Sequence, residues 1–181
     1  QQKKKVSGEA IVSTVLFNNG FEVLHNRVNL KQIEPMTEKQ YYVRGSTALL
    51  DAIGRSIIKI RRVHKQLNES DIPEKTLFFI TTDGMENAST EFDYEKLSEY
   101  ISLQKEKYNW EFIFIGANID AIKTAKKFGV DANRAVNYKA DERGTNLGYK
   151  VMNETIRELR MNKSINDNWK DEFDKDYQHR K

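Results

Sequence analysis

The first apolar pattern along the chain is a pair of β-prone runs. Residues 10–17 are rich in β-branched side chains, and residues 21–25 continue this pattern after Asn18-Asn19-Gly20. Asparagine and glycine tolerate positive φ angles, so this triplet predicts a tight turn and the two runs predict a β-hairpin. Residues 27–37 carry a weaker pattern, which predicts a loop or a short edge element.

Farther along the chain, helical and strand periodicities alternate. Apolar positions three and four residues apart predict a helix from Ala48 to about Leu67. Nearly continuous apolar runs at 76–82 and 111–116 predict strands that are buried on both faces. A short strand is predicted at 134–138.

Three further helices are predicted between and after these strands. One is capped by Asp93 and turns its apolar face inward, and that face comprises Tyr94, Leu97, Ile101 and Tyr108. Another is capped by Asn118 and ends at Gly129. The third runs from Thr145 to about Met161. The alternation predicts an α/β fold, with an open, doubly wound, Rossmann-like and mostly parallel sheet, helices on both faces and an antiparallel edge hairpin.

The last segment carries an apolar stripe. We predict one domain over residues 1–161 and an amphipathic tail over 162–181. Two interpretations of the tail stay open: it docks on its own domain, or it binds a groove in a partner. The stripe recurs every four residues and comprises Ile165, Trp169, Phe173 and Tyr177.

Composition narrows the class of protein. The chain has 181 residues, no cysteine and three histidines, which excludes disulfides, thiolate zinc sites and cysteine nucleophiles. The net charge of +3 is too small to indicate nucleic acid binding by itself. No apolar run approaches the roughly 20 residues that span a bilayer. We therefore predict a cytoplasmic protein with no membrane partner.

Two segments place oxygen-bearing side chains where ligands gather in such folds, beyond the carboxyl ends of the strands. In the first, Gly45, Ser46 and Thr47 lead into a helix, and in the second, Asp83 and Gly84 follow a buried strand. Hydroxyl and carboxylate oxygens are the ligands that Mg²⁺, Mn²⁺ and Ca²⁺ prefer. Each segment alone also fits a purely structural role, as a helix cap or a turn.

These two segments resemble the second and third metal motifs of the von Willebrand factor A domains. The resemblance covers about Gly8 to Leu159 and is strongest to bacterial intracellular members of unassigned role, through residues 112–120. It implies a metal-ion-dependent adhesion site in which Thr47 and Asp83 approach a divalent cation, supported by Ser46, Gly45 and Gly84. In that family a carboxylate of a protein partner completes the coordination.

The chain departs from the family at its first motif, because Asp-x-Ser-x-Ser occurs nowhere in it. The first matching strand corresponds to the family's second, which implies that the central strand is missing. Such a gap would expose two sheet edges at a cost of about 1 kcal/mol for each lost hydrogen bond. Three explanations stay open: an upstream segment supplies the strand, a second chain or swapped element fills the gap, or the fold has reorganised without metal.

Three functions follow from these observations. The first is a non-enzymatic module that binds an acidic group of a protein partner through a divalent cation. The second is a structural or interaction protein, associated with RNA, that works without metal. The third is a Mg²⁺-dependent phosphohydrolase using Asp83, although the position two residues later is Met85 rather than a second acid. We predict the first.

Overall fold

The computed structural model describes residues 8–34, 45–162 and 164–180. Within these ranges the chain forms ten helices and strands, besides short 3₁₀ turns. None of the described helices combines the length and the apolarity needed to cross a bilayer. In chain order the elements are β1 (Ile11–Phe17), β2 (Phe21–Asn29), α1 (Leu49–His64), β3 (Leu77–Thr82), α2 (Tyr94–Tyr108), β4 (Glu111–Gly116), α3 (Ala121–Lys127), β5 (Ala135–Asn137), α4 (Glu142–Asn162) and α5 (Asp171–His179).

The predicted α/β architecture is confirmed. Strands β3, β4 and β5 form a parallel sheet in that order, with Phe78 opposite Phe112 and Phe114 opposite Ala135. Alternate residues of these strands face opposite helix layers. One layer contains α1, α2 and α3, and the other contains α4 and α5. The sheet is therefore covered on both faces, as in Rossmann-like folds.

The predicted hairpin is present, but it is a separate two-stranded sheet rather than an edge of the parallel one. Its turn is closed by the side chain of Asn18, whose Oδ1 accepts from the backbone N–H of Gly20 at 2.6 Å. Neither Asn19 nor Gly20 uses a positive φ angle. Strand β2 continues to Asn29, so residues 27–29 belong to the second strand of the hairpin rather than to the separate loop or short edge element predicted from Arg27. Residues 35–37 of that prediction lie outside the described residues.

Two apolar cores flank the parallel sheet. The larger one packs residues of α1, α2 and α3 against Ile80 and Phe114, and Phe17 of the hairpin packs on it. The smaller one packs α4 and the tail against Ile113 and Ile115. Strand β4 contributes to both cores and is buried on both faces, as its sequence predicts.

The prediction that a strand is buried on both faces is wrong in part for β3. Ile80 and Thr82 are buried, but Leu77, Phe78 and Phe79 are only half-buried. The physical reason is position: within the described residues, β4 is the only strand that pairs with β3. A run of apolar side chains suited to the interior of a sheet therefore lies at its edge.

Two details of the helix predictions are corrected. The cap of α2 is confirmed, since Asp93 accepts from the N–H of Lys96, but Tyr108 is 41% exposed and Gln104 is buried in its place. The cap of α3 is Asp120 rather than Asn118. Asn118 instead adopts a positive φ angle in the turn after β4.

The tail docks on its own domain. Ile165, Trp169 and Phe173 are buried in the smaller core. The indole N–H of Trp169 donates to the carbonyl of Asn133 at 2.8 Å. Tyr177, the fourth residue of the stripe, lies half-buried beneath the ammonium group of Lys139. Because the stripe is occupied within the chain, the structure favours docking over the binding of a partner groove.

We expect Phe173→Ala to lower the free energy of unfolding by about 3–5 kcal/mol, because it leaves a cavity in a core to which the tail is a main contributor. Lys175→Ala, an exposed position of the same helix, is the control and should change stability by less than about 0.5 kcal/mol. Urea denaturation followed by circular dichroism measures both. Equal, small effects would contradict a packed tail.

Candidate functional site at the carboxyl edge of the sheet

The two predicted motifs lie side by side at the carboxyl edge of β3. A Cβ atom built on Gly84 would lie 3.2 Å from Oγ1 of Thr47. The residue that follows Asp83 therefore lies close to the threonine hydroxyl. Substituting a larger residue at Gly84 would crowd this hydroxyl. Gly84 thus permits the close approach of the two loops.

Backbone and side-chain hydrogen bonds fix the Thr47 loop on the loop that follows β3. The N–H of Thr47 donates to Oδ1 of Asn87 at 2.8 Å, and the N–H of Asn87 donates back to the carbonyl of Thr47 at 3.1 Å. This reciprocal pair uses the backbone of Thr47 and leaves its side-chain hydroxyl out. The backbone hydrogen bonds thus hold the loop that carries the hydroxyl, and the hydroxyl itself takes no part in them.

Glu86 caps α1 from outside that helix. Its carboxylate accepts from the N–H of Leu50 at 3.0 Å, in the first turn of α1, and from the N–H groups of Ala88 and Ser89 at 2.9 and 2.8 Å. The hydroxyl of Ser89 adds a fourth bond at 2.8 Å. Burial alone raises the pKa of Glu86, but these donors outweigh it and hold the pKa below its ordinary value.

Asp51 forms a second clamp in the opposite direction. This residue of α1 is 4% exposed, and its carboxylate accepts from the N–H groups of Thr90, Glu91 and Phe92 at 2.9, 3.0 and 2.8 Å. Burial alone raises the pKa of Asp51. The three backbone donors, with the nearby positive charge of Arg55, outweigh it and keep the pKa low.

The segment around Asp83 is held by its neighbours through the backbone. The amide nitrogen Nδ2 of Asn118 donates to the carbonyl of Asp83 at 3.1 Å. The hydroxyl of Thr82 donates to the carbonyl of Gly84 at 3.1 Å. Asn118, which adopts a left-handed backbone conformation, thus holds the loop after β3 through its side chain.

The side-chain oxygens of Thr47 and Asp83 stand apart from these frames. Over residues 8–34, 45–162 and 164–180, neither the hydroxyl of Thr47 nor the carboxylate of Asp83 takes part in a hydrogen bond or ion pair. Thr47 is half-buried and Asp83 is exposed. Among the described residues, these two groups are therefore free to bind a ligand.

The chemistry of these two oxygen groups suits a divalent cation, but two protein ligands are too few to complete its coordination. A hydroxyl and a carboxylate suit Mg²⁺ or Mn²⁺, but an octahedral ion would keep four or so waters on two protein ligands. No group of three His, Cys, Asp or Glu side chains suited to a metal occurs in the described part of the chain. Glu86 and Asp51 are close in sequence to the motifs, yet their oxygens are already occupied by backbone N–H groups.

The supporting residues named from the sequence occupy the same edge. Gly45 is exposed and Ser46 is half-buried, both directly before Thr47. The residues that sequence analysis missed are Asp51, Glu86 and Ser89, which hold the loops together. For Asp51 the sequence did contain a signal, because the helix dipole favours an acidic residue in the first turn of a helix.

No family model, curated protein or solved structure matches this chain. The resemblance to von Willebrand factor A domains therefore stays a prediction, together with the metal, partner and localisation that it implies. What is established is the α/β fold and the geometry of the two loops.

We expect Asp51→Asn to lower the free energy of unfolding by about 2–4 kcal/mol, because the amide presents N–H groups to backbone donors. The low pKa of Asp51 in the folded state gives stability that is complete above its unfolded pKa and is lost as the pH falls through the folded value. That part of the acid sensitivity should disappear in the variant. Urea denaturation over a series of acidic pH values measures both effects.

Asp93→Asn is the matched control, because Asp93 caps α2 and asparagine caps helices as well as aspartate does. It should change stability by less than about 0.5 kcal/mol. A similarly small effect of Asp51→Asn at neutral pH would show that the clamp contributes little.

Proposed function

We propose that this chain is a non-enzymatic protein-binding module that engages an acidic group of a partner through a divalent cation held by Thr47 and Asp83. The observation that carries the proposal is the contrast at the edge of the sheet. The two carboxylates that join the loops, Asp51 and Glu86, each accept from three backbone N–H groups, whereas the hydroxyl of Thr47 and the carboxylate of Asp83 are left without partners among the described residues. Such a division suits a binding site.

The residues of the chain would have separate tasks in this function. Thr47 would offer a neutral oxygen and Asp83 a negative charge, both on loops whose backbone is fixed. The cation would supply the positive charge that bridges Asp83 to a carboxylate of the partner. Because the chain would fill only two coordination positions, the affinity for the cation alone should be weak and should rise when a partner adds a third ligand.

The positions of the histidines support binding rather than catalysis. His25 contacts Thr14 in the hairpin, His64 lies edge-on to Trp110 at the far end of α1, and His179 contacts the carbonyl of Lys175 in the tail. None of these contacts involves Asp83. The exposed side chain two residues after Asp83 is Met85, which offers no proton donor or acceptor for phosphoryl transfer.

We expect isothermal titration calorimetry to detect Mn²⁺ binding with a dissociation constant of about 10⁻⁴–10⁻³ M, in the range of weakly coordinated sites. Asp83→Ala should abolish this binding because it removes the only charged ligand. Thr47→Val, which keeps the shape of the side chain and removes the hydroxyl, should weaken it. A short peptide with one aspartate should tighten Mn²⁺ binding to the unmodified chain and not to Asp83→Ala.

Glu99→Ala is the control, because Glu99 is an exposed acid on α2 away from this edge. It should bind Mn²⁺ as the unmodified chain does. Equal binding by Asp83→Ala and Glu99→Ala would refute the metal site. Hydrolysis of a phosphate ester that disappears in Asp83→Asn would replace the proposal with the enzymatic alternative.

A further inference from the structure

Two basic side chains near the end of α1 lie on the inner face of that helix. Arg61 and His64 follow Ile57 by four and seven residues, so the helical period places all three on one face. Ile57 is completely buried, and Arg61 and His64 are half-buried. The neighbouring Arg62 is exposed. Arg61 and His64 therefore face the interior side of α1, whereas Arg62 faces solvent.

The guanidinium group of Arg61 lacks an acceptor in this position. Its Nε atom is buried and makes no hydrogen bond within the described residues. A buried donor without a partner lowers stability, and a positive charge removed from water does so more strongly. The helix dipole favours a basic residue in the last turn of α1, but the exposed Arg62 meets that preference without being buried. The dipole therefore does not explain why Arg61 faces inward.

The hairpin contributes a second arginine without a partner. The register of β2 shifts between its pairs with Val12 and Thr14, so the ribbon carries a bulge there. Arg27 lies at this bulge with a left-handed backbone conformation, at a φ angle of 55°. That conformation is unfavourable for a residue with a long side chain. Over residues 8–34, 45–162 and 164–180, the guanidinium group of Arg27 takes part in no hydrogen bond or ion pair.

The packing of the hairpin on α1 brings these groups together. The N–H of Ala48, just before α1, donates to the carbonyl of Asn18 in the hairpin turn at 2.6 Å, so both elements start from one place. From there α1 extends about 24 Å to His64, and the strand extends about 30 Å to Arg27. Burial and, after it, the positive charge of Arg27 hold the pKa of His64 below its usual value. Arg27 therefore lies near the end of α1.

One side of this basic cluster is an apolar wall. The ring of His64 meets the ring of Trp110 edge-on, with 5.5 Å between the ring centroids, and Trp110 stacks on Phe78. No ion pair joins Arg27, Arg61 or His64 to a carboxylate in the described part of the chain. The positive groups repel one another in this arrangement. An anion bound among them would remove the repulsion and supply the missing acceptors.

The number and shape of the donors select the kind of anion. A guanidinium group offers two parallel N–H groups to the oxygens of one oxyanion, and an imidazole offers a further N–H. A planar carboxylate carries one charge and is satisfied by a single guanidinium group, whereas a phosphate group carries close to two charges and three acceptor oxygens. We propose that Arg27, Arg61 and His64 form a site for a phosphate dianion, either inorganic phosphate or the phosphate group of a small-molecule monoester.

This anion site is independent of the proposed cation site. Thr47 precedes the first turn of α1, whereas Arg61 lies near the end of that helix, about 20 Å farther along its axis. The two sites share no residue. Failure of the cation site would therefore leave the anion site unaffected, and the reverse also holds.

NMR spectra of the full chain, in a buffer free of phosphate and divalent cations, test the anion site. Sodium phosphate at constant pH should shift the ring signals of His64 until they reach saturation, while those of His179 in the tail stay in place. Phenyl phosphate, which carries the same group as an ester, distinguishes the two sources. Tighter binding than that of inorganic phosphate would identify a monoester site, and equal or weaker binding would identify a site for the free ion.

Three variants assign the binding to particular side chains, with His64 as the reporter in each. Arg61→Gln should raise the phosphate concentration at half-saturation at least about tenfold, because hydrogen bonds between charged groups are strong. Arg27→Gln should act in the same direction and gives a second test if Arg61→Gln lowers stability. Arg62→Gln is the matched control. It removes the same charge from the exposed face of α1 and should change half-saturation by at most about twofold.

Three results would overturn the proposal. The first is the absence of a saturable shift of the His64 signals. The second is equal binding of sodium acetate and sodium phosphate at matched ionic strength, which would indicate general screening of positive charge. The third is an equal loss of phosphate binding in Arg61→Gln and Arg62→Gln.

Discussion

The arrangement of the site depends on two carboxylates that bind backbone N–H groups across a gap in the sequence. Asp51 reaches from α1 to the segment 90–92, and Glu86 reaches back to the first turn of α1. Each bond joins a charged acceptor to backbone donors that would otherwise be unsatisfied at a helix start or in an irregular loop. Together they join the loop after β3 to the start of α1.

This clamp holds the two loops on which the proposed cation site depends. Thr47 and Asp83 lie on the loops that the clamp joins, and their backbones are held by Asn87 and Asn118. Their side-chain oxygens are consequently positioned without being used. In the proposed function, Asp51 and Glu86 would stabilise the loops while Thr47 and Asp83 would bind the cation, so the site would cost little stability. The same clamp joins the loops that carry Gly84 and Thr47, and these two residues lie close together.

The sequence predicted most helices and strands correctly, but it did not predict which elements lie beside each of them. Helical and strand periods identified α1, β4 and the order of the α/β fold, because these patterns record which face of an element is buried. The apolar run of β3 predicted full burial, yet burial depends on a neighbouring strand, which a local pattern does not reveal. Motif spacing placed Thr47 and Asp83 at one edge. It could not identify Asp51 and Glu86 as clamps, since their partners lie 36–41 residues away.

Paramagnetic relaxation by Mn²⁺ tests the central claim most directly, because it locates the ion as well as detecting it. In NMR spectra of the full chain, low concentrations of Mn²⁺ should broaden the amide signals of Thr47 and Gly84 first, while those of the tail helix α5 stay sharp. In Asp83→Ala this selective broadening should be lost. Broadening that is centred elsewhere, or that persists unchanged in Asp83→Ala, would contradict a cation site built from Thr47 and Asp83.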